Sequence, residues 1–133
     1  MKKKLTCIML VDDNKDDNFF HEREIKKISL ENIVFAKNSG TDALDYLKSD
    51  KDPHVDLIFL DINMPGMNGW EFLQEYDKLD HVLKSRTIIV MLTTSDNPDD
   101  LSRSKKWGAI TDYVTKPLTH ERMKIIIDKY FNK

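Results

Sequence analysis

Five short apolar segments divide the chain: Thr6–Val11, Ile33–Ala36, Leu57–Leu60, Ile88–Leu92 and Tyr113–Thr115. The first, third and fourth are apolar almost throughout, whereas a strand with one face in water would alternate between apolar and polar residues. Uninterrupted runs of this length are typical of strands buried on both faces of a parallel sheet, with helices covering each face. We therefore predict five strands at these positions.

Stretches with apolar residues at helical spacing separate these segments. The clearest begins after Thr119, a suitable N-cap, and its apolar residues recur at intervals of three, four and seven: Met123, Ile126, Ile127 and Tyr130. Further helices are predicted over 15–28, 41–48, 69–79 and 98–107. Strand–helix alternation repeated five times predicts an α/β fold, a doubly wound five-stranded parallel sheet with five helices and right-handed crossovers.

Composition limits the class of protein and the kinds of partner. The 133 residues fit one domain, and because the chain ends soon after the apolar Phe131 we expect a single domain over 1–133 with no output domain. Lys and Arg total 21 and Asp and Glu total 23, a net charge of -2, which argues against binding to nucleic acid. The apolar stretch Leu5–Val11 is too short to cross a membrane, so no membrane association is expected. Cys7, the one cysteine, cannot form an internal disulfide, which fits a cytoplasmic location. Four histidines lack metal-ligand spacing and are expected on the surface: His21, His54, His81 and His120.

Polar and charged residues follow four of the five predicted strands. In strand order they are Asp12 and Asp13, Asp61, Thr93 and Thr94, and Lys116. Because ligands of an open α/β sheet bind beyond the carboxyl ends of the strands, we expect these side chains to meet at one edge. Any one of them alone would be explained as a turn residue or a helix cap. Carboxylates, a hydroxyl and a Lys at four strand ends together indicate a site.

The chemistry of this set points to phosphoryl transfer. Clustered carboxylates raise one another's pKa unless a cation neutralises them, and Mg²⁺ binds through a few carboxylates, water and phosphate oxygens. A carboxylate between a divalent cation and Lys116 is suited to attack phosphorus, because phosphoryl transfer depends on positioning and charge neutralisation. Thr93 could donate a hydrogen bond to a phosphate oxygen. We therefore predict that one of these carboxylates accepts a phosphoryl group.

Four motifs carry a resemblance to a known family. They are Val11-Asp12-Asp13-Asn14, Leu60-Asp61-Ile62-Asn63-Met64-Pro65-Gly66-Met67-Asn68-Gly69, Met91-Leu92-Thr93-Thr94 and Tyr113-Val114-Thr115-Lys116-Pro117. In this order, over essentially the whole chain, they resemble the receiver domain of two-component response regulators, in particular the single-domain, chemotaxis-regulator-like members. The resemblance implies a flavodoxin-like strand order of 2-1-3-4-5 and a cis Lys116-Pro117 bond.

The resemblance also implies roles for individual residues. Asp61 corresponds to the phosphoacceptor and Lys116 to the phosphate-binding lysine. The implied cofactor is Mg²⁺, with Mn²⁺ as a substitute, and its implied ligands are Asp13, Asp12 through water, Asp61 and the backbone carbonyl of Asn63. The implied switch residues are Thr93, Thr94 and Tyr113. The residues implied to tune the phosphoryl lifetime are Asn14, Asn63 and Ser95.

The implied function is a phosphorylation-dependent signalling switch. A sensor histidine kinase or a histidine phosphotransfer protein would supply the phosphoryl group. A downstream protein would bind the face formed by the helix over 98–107, the fifth strand and the last helix. The helix over 98–107 has only Leu101 and Trp107 as large apolar anchors, so we expect it to shift easily. The protein would be a monomer or a dimer promoted by phosphorylation, and not an enzyme beyond accepting and hydrolysing its own phosphoryl group.

Two alternatives stay open at the level of the sequence. A pseudo-receiver would bind partners without phosphorylation, although a pure scaffold has no use for the full set of acids, hydroxyl and Lys. A haloacid-dehalogenase-like phosphatase would also form an aspartyl phosphate. Those enzymes place a second Asp two residues after the nucleophile, where this chain has Asn63.

Overall fold

The computed structural model describes residues 3–28, 32–49, 53–62, 64–93 and 108–132. Within them, one sheet contains five strands: β1 (Cys7–Val11), β2 (Ile33–Lys37), β3 (Leu57–Asp61), β4 (Ile88–Thr93) and β5 (Ile110–Thr115). The strand order is β2-β1-β3-β4-β5, and every neighbouring pair is parallel. The predicted doubly wound α/β sheet with the flavodoxin-like order is therefore confirmed.

The described residues also contain five helices: α1 (Lys15–Ile28), α2 (Gly40–Lys48), α3 (Gly69–Tyr76), α4 (His81–Ser85) and α5 (His120–Tyr130). Side-chain caps start several of them. Ser39 accepts the backbone N–H of Asp42 at α2, and Thr119 accepts that of Arg122 at α5. The predicted helix over 98–107 lies outside the described residues.

Two predicted boundaries are wrong, each for a local reason. The helix predicted over 69–79 ends at Tyr76, because the backbone N–H groups of Lys78 and Leu79 donate to carbonyls only three residues back. Asp80 then caps α4, a short helix that the apolar pattern does not predict. The fifth strand begins at Ile110 rather than Tyr113, since an edge strand is half exposed and its first residues are not uniformly apolar.

The core lies in two layers, one on each face of the sheet. Successive residues of a strand point to opposite faces, so a continuous apolar run supplies both layers. One layer joins the sheet to α2 and α3, and the other joins it to α1 and α5. Full burial of a Leu, Ile or Phe side chain contributes about 1.5–3 kcal/mol, so both layers hold the strand ends in place.

Two short strands, Lys3–Lys4 and Phe131–Asn132, pair in parallel and join the first and last described segments. Phe131 is buried in the layer that contains α1 and α5. Among the helices in the described ranges, none combines the length and the apolar character needed to span a bilayer.

Candidate functional site

Three carboxylates meet at the carboxyl ends of β1 and β3. These strands are neighbours in the sheet, with Val11 opposite Leu60, so Asp12 and Asp13 emerge beside Asp61. One carboxylate oxygen from each acid lies within 4.8 Å of the others. Asp12 and Asp61 are buried, whereas Asp13 is exposed. The fold therefore produces the predicted convergence of acids.

This donor set fits a divalent cation of the Mg²⁺ type. Burial raises the pKa of Asp61 to about 6, with a further contribution from the charge of Asp12, while the positive charge of Lys116 only partly opposes the rise. Three carboxylates this close would be stabilised in their charged form by a cation, and Mg²⁺ favours oxygen ligands. Asn63, whose carbonyl was predicted as a further ligand, lies outside the described residues, so that role stays a prediction.

Lys116 follows β5 and reaches across the strand ends to the acids. Its Nζ donates hydrogen bonds to Oδ2 of Asp12 at 2.6 Å and Oδ2 of Asp17 at 3.0 Å, and it lies 3.4 Å from Oδ1 of Asp61. Burial alone would lower the pKa of Lys116, but its hydrogen bonds to Asp12 and Asp17 outweigh that effect and raise it. The ammonium is therefore charged at neutral pH. The Lys116-Pro117 bond is cis, as the resemblance implied.

The N-terminus of α3 supports the backbone that carries Asp61. The backbone N–H of Gly69 donates to the carbonyl of Ile62 at 2.8 Å. A Cβ on Gly69 would lie only 2.9 Å from the carbonyl oxygen of Asp61 and 2.9 Å from the Cα of Ile62. Close approach of two backbone segments, rather than an unusual φ, explains why a glycine stands here.

The predicted switch residues lie on the neighbouring strands. Thr93 is the last residue of β4 and is fully buried, and its carbonyl accepts the backbone N–H of Lys116 at 2.6 Å. Tyr113 is half-buried on β5 and packs against the layer that contains α2 and α3. Thr94 and Ser95 lie outside the described residues, so their roles stay predictions.

Asn14, predicted to tune the phosphoryl lifetime, also has a structural role. Its side-chain Oδ1 accepts the backbone N–H groups of Asp16 at 2.9 Å and Asp17 at 3.1 Å, which caps the first turn of α1. Its own backbone N–H donates to Oδ1 of Asp12 at 3.0 Å. Asn14 thus fixes the turn between the acids Asp12 and Asp13 and the start of α1. Its effect on the phosphoryl lifetime stays a prediction.

Asp17 belongs to the site although sequence reasoning missed it. Asp16 and Asp17 are adjacent residues of the same type, and the sequence does not distinguish between them. The direction in which α1 leaves β1 decides that Asp17 reaches Lys116. A placement of this kind is fixed by the packing of α1 on the sheet rather than by local pattern.

Two polar residues of α1 are buried for identifiable reasons. Glu24 accepts the backbone N–H of His120 at 3.1 Å and lies 2.5 Å from Nζ of Lys27, so it supports the first turn of α5. The bond to Lys27, followed by the bond from the backbone of His120, lowers the pKa of Glu24 to about 2. The expectation that His21 lies on the surface is wrong. It precedes Ile25 by four residues, and both side chains are buried on one side of α1.

Similar proteins point to one family. Residues 8–128 match the family described as the response regulator receiver domain. The crystal structure of a two component response regulator from Cytophaga hutchinsonii has a TM-score of 0.87 and 27% identity, covering 98% of this chain and 100% of that chain. A response regulator receiver protein from Dyadobacter fermentans DSM 18053 has a TM-score of 0.86 and 26% identity, covering 96% and 99%.

One curated relative is considerably longer than this chain. The transcriptional regulatory protein CitT of Halalkalibacterium halodurans is 28% identical over 130 residues, which are 98% of this chain and 54% of that protein. The chain spans about half the length of this and other curated relatives that it matches. Because the family match extends over residues 8–128, the chain belongs to the receiver-domain family of two-component response regulators.

Proposed function

We propose that this receiver domain is a phosphorylation-dependent signalling switch in which Asp61 accepts a phosphoryl group. The donor would be the phosphohistidine of a sensor histidine kinase or of a histidine phosphotransfer protein. One observation carries the proposal: the carboxylate of Asp61 lies beside those of Asp12 and Asp13, which suit a divalent cation, and 3.4 Å from the ammonium of Lys116. Positive charge close to a buried carboxylate, from an ammonium and from a cation that the acids could hold, is what phosphoryl transfer requires.

Asp61 acts as the nucleophile. With a pKa of about 6 its carboxylate is mostly ionised at pH 7, and a bound cation would favour that form further. A carboxylate oxygen forms the new P–O bond, while the P–N bond to the donor imidazole breaks and its electron pair stays on the imidazole nitrogen. Mg²⁺ held by Asp13, Asp61 and, through water, Asp12 would supply charge neutralisation at the phosphoryl oxygens. Lys116 would stabilise the same developing charge through its ammonium.

The change in surface would pass through β4 and β5. Phosphorylation would replace the single negative charge of the Asp61 carboxylate by a phosphoryl group with nearly two, beside the buried Thr93. The hydroxyl of Thr93 would donate to a phosphoryl oxygen and move toward it, with Thr94 moving alongside. Tyr113 would then turn inward, which would change the surface of β5 and α5 where a downstream protein would bind. Hydrolysis of the acyl phosphate by water would reset the switch.

Incubation with acetyl phosphate and Mg²⁺, followed by intact-mass spectrometry, tests phosphoryl acceptance. We expect one added phosphoryl group on the unsubstituted protein and none on Asp61→Asn. Asp45→Asn is the matched control, because it removes an exposed carboxylate on α2 and should label normally. If Asp61→Asn labelled at the unsubstituted rate, Asp61 would not be the phosphoacceptor. If the unsubstituted protein did not label, a phosphorylation-independent pseudo-receiver would explain the fold better, and sustained turnover of a phosphate ester would indicate a phosphatase.

Hydrogen exchange tests the switch separately from the chemistry. Thr93→Ala should still label on Asp61, but the phosphorylation-dependent change in exchange at β5 and α5 should be lost. Thr111→Ala, an exposed position on β5, is the control and should retain the change. An unchanged exchange response in Thr93→Ala would exclude Thr93 as the link between Asp61 and this face.

A further inference from the structure

The Lys116 ammonium contacts three carboxylates at different distances. An ammonium has three N–H donors, and here two of them make hydrogen bonds, to Asp12 at 2.6 Å and Asp17 at 3.0 Å. The contact with Asp61 is an ion pair at the longer distance of 3.4 Å. Before phosphorylation, the ammonium therefore lies closer to Asp17 than to the residue proposed to carry the phosphoryl group.

The fold itself places Asp17 at this position. The backbone N–H of Asp17 donates to Oδ1 of Asn14 at 3.1 Å, which fixes the first turn of α1. The next residue, Asn18, donates from Nδ2 to the backbone carbonyl of Asp12 at 2.9 Å and is itself buried. The first turn of α1 is thus tied to the end of β1 on both sides of Asp17, so its contact with Lys116 does not depend on a freely moving segment.

The exposed fractions of the side chains indicate which hydrogen bond of Lys116 breaks at the lower cost. The Asp17 side chain is 40% exposed, whereas Asp12 is 3% exposed and Lys116 is 10% exposed. Releasing Asp17 from Lys116 returns its carboxylate to water, which costs little. Releasing Asp12 would leave a buried carboxylate without its partner, which costs much more. Asp17 is therefore the contact that Lys116 gives up when a stronger acceptor appears.

We propose that Asp17 is a positioning residue that restrains Lys116 in the unphosphorylated protein and so slows phosphorylation of Asp61. A phosphoryl group on Asp61 would compete with Asp17 for the ammonium, so the contact between Asp17 and Lys116 must break before Lys116 can stabilise the incoming phosphoryl group. The inference rests on the proposed function of Asp61. It adds a second residue, Asp17, that limits how fast Asp61 accepts a phosphoryl group.

Acetyl phosphate is a suitable probe because it needs no partner protein. In the reaction a carboxylate oxygen of Asp61 forms a bond to phosphorus, the bond between phosphorus and the acetyl oxygen breaks, and acetate leaves with the electron pair. Asp17 transfers no proton in this step. Its effect should therefore appear through Lys116 alone.

The test measures initial labelling rates over a series of acetyl phosphate concentrations at saturating Mg²⁺. Asp17→Asn should label about two- to five-fold faster at low donor concentration, the range expected for release of one partly exposed ion pair. Asp17→Glu keeps the charge within reach of Lys116 and should label at nearly the unsubstituted rate. Asp16→Asn is the matched control, because it removes the same charge from an exposed position in the same helical turn and should leave the rate unchanged.

A Lys116→Gln background separates positioning from a general effect of charge. If Asp17 acts through Lys116, Asp17→Asn should give no acceleration in that background. Acceleration that persists there, equal acceleration by Asp16→Asn, or an unchanged or slower rate for Asp17→Asn would each overturn the inference. Asp17→Ser repeats the measurement if thermal unfolding shows that Asp17→Asn does not fold. Failure of the unsubstituted protein to label would overturn the proposed function as well, whereas normal labelling with equal rates would overturn this inference alone.

Discussion

Substitution of Gly69 by Ala should damage the site through the backbone. The new Cβ would lie 2.9 Å from the carbonyl oxygen of Asp61 and from the Cα of Ile62, well inside ordinary van der Waals contact. Neither backbone atom can move freely, because Gly69 donates to the carbonyl of Ile62 at 2.8 Å and Ile62 donates to the carbonyl of Leu92 at 3.3 Å. Overpacking of this kind costs about 1–3 kcal/mol. The loss of glycine entropy in the unfolded chain offsets roughly 0.4–1 kcal/mol of that cost.

Gly108→Ala supplies the matched control, since a Cβ there meets no atom within 4 Å. The difference in free energy of unfolding between Gly69→Ala and Gly108→Ala should therefore isolate the clash, at about 1–3 kcal/mol. Urea unfolding measures this difference, and acetyl phosphate labelling measures the accompanying displacement of Asp61, which should slow acceptance. If both variants unfolded at the same urea concentration and labelled alike, the close packing of α3 against the end of β3 would not be a constraint on the site.

Three further predictions concern charge and hydrogen bonding. Without divalent cations, Asp61→Asn should be about 1–3 kcal/mol more stable than the unsubstituted protein at pH 7, because the pKa of Asp61 is raised from 3.8 to about 6. The folded state binds this proton more tightly, so the difference should vanish below pH 3.8; equal urea midpoints in EDTA at pH 7 would contradict it. Glu24→Gln should lower the midpoint of thermal unfolding at neutral pH. Because the pKa of Glu24 is lowered from 4.5 to about 2, this loss of stability should shrink as the pH falls from 4.5 to 2. Glu121→Gln, at an exposed position, is the control and should show no such loss. Tyr130→Phe removes a 2.7 Å hydrogen bond from its hydroxyl to Asp112 and should cost about 1 kcal/mol in urea unfolding; an unchanged midpoint would mean that water replaces the hydroxyl.

The strands differed in how well their sequences predicted them. β1, β3 and β4 lie inside the sheet, and their continuous apolar runs gave nearly correct bounds. β5 lies at an edge and begins three residues before the predicted strand, because polar residues such as the exposed Thr111 and the half-buried Asp112 carry little apolar signal. The short helix α4 depends on the Asp80 cap and on turns after Tyr76 rather than on an apolar stripe.

The residues at the strand ends were predictable because topology brings the ends of parallel strands together. Asp12 and Lys116 each follow a strand and Asp61 ends one, and the strand order places all three at one edge of the sheet. Asp17 and Glu24 do not follow strands, so this rule says nothing about them. Their contacts depend on the direction and rotation of α1 relative to the sheet and to α5.

The alternation of strands and helices, the burial of the central strands and the chemical types at the strand ends can all be read from the amino-acid sequence. These properties are local, because apolar spacing and residue type are readable within a few positions. The sequence could not show how the Lys116 ammonium is shared among Asp12, Asp17 and Asp61, because these contacts join residues as much as 104 positions apart and their lengths differ by less than 1 Å. Differences of that size arise from the packing of whole elements, and here they decide which acid holds Lys116 before the phosphoryl group arrives.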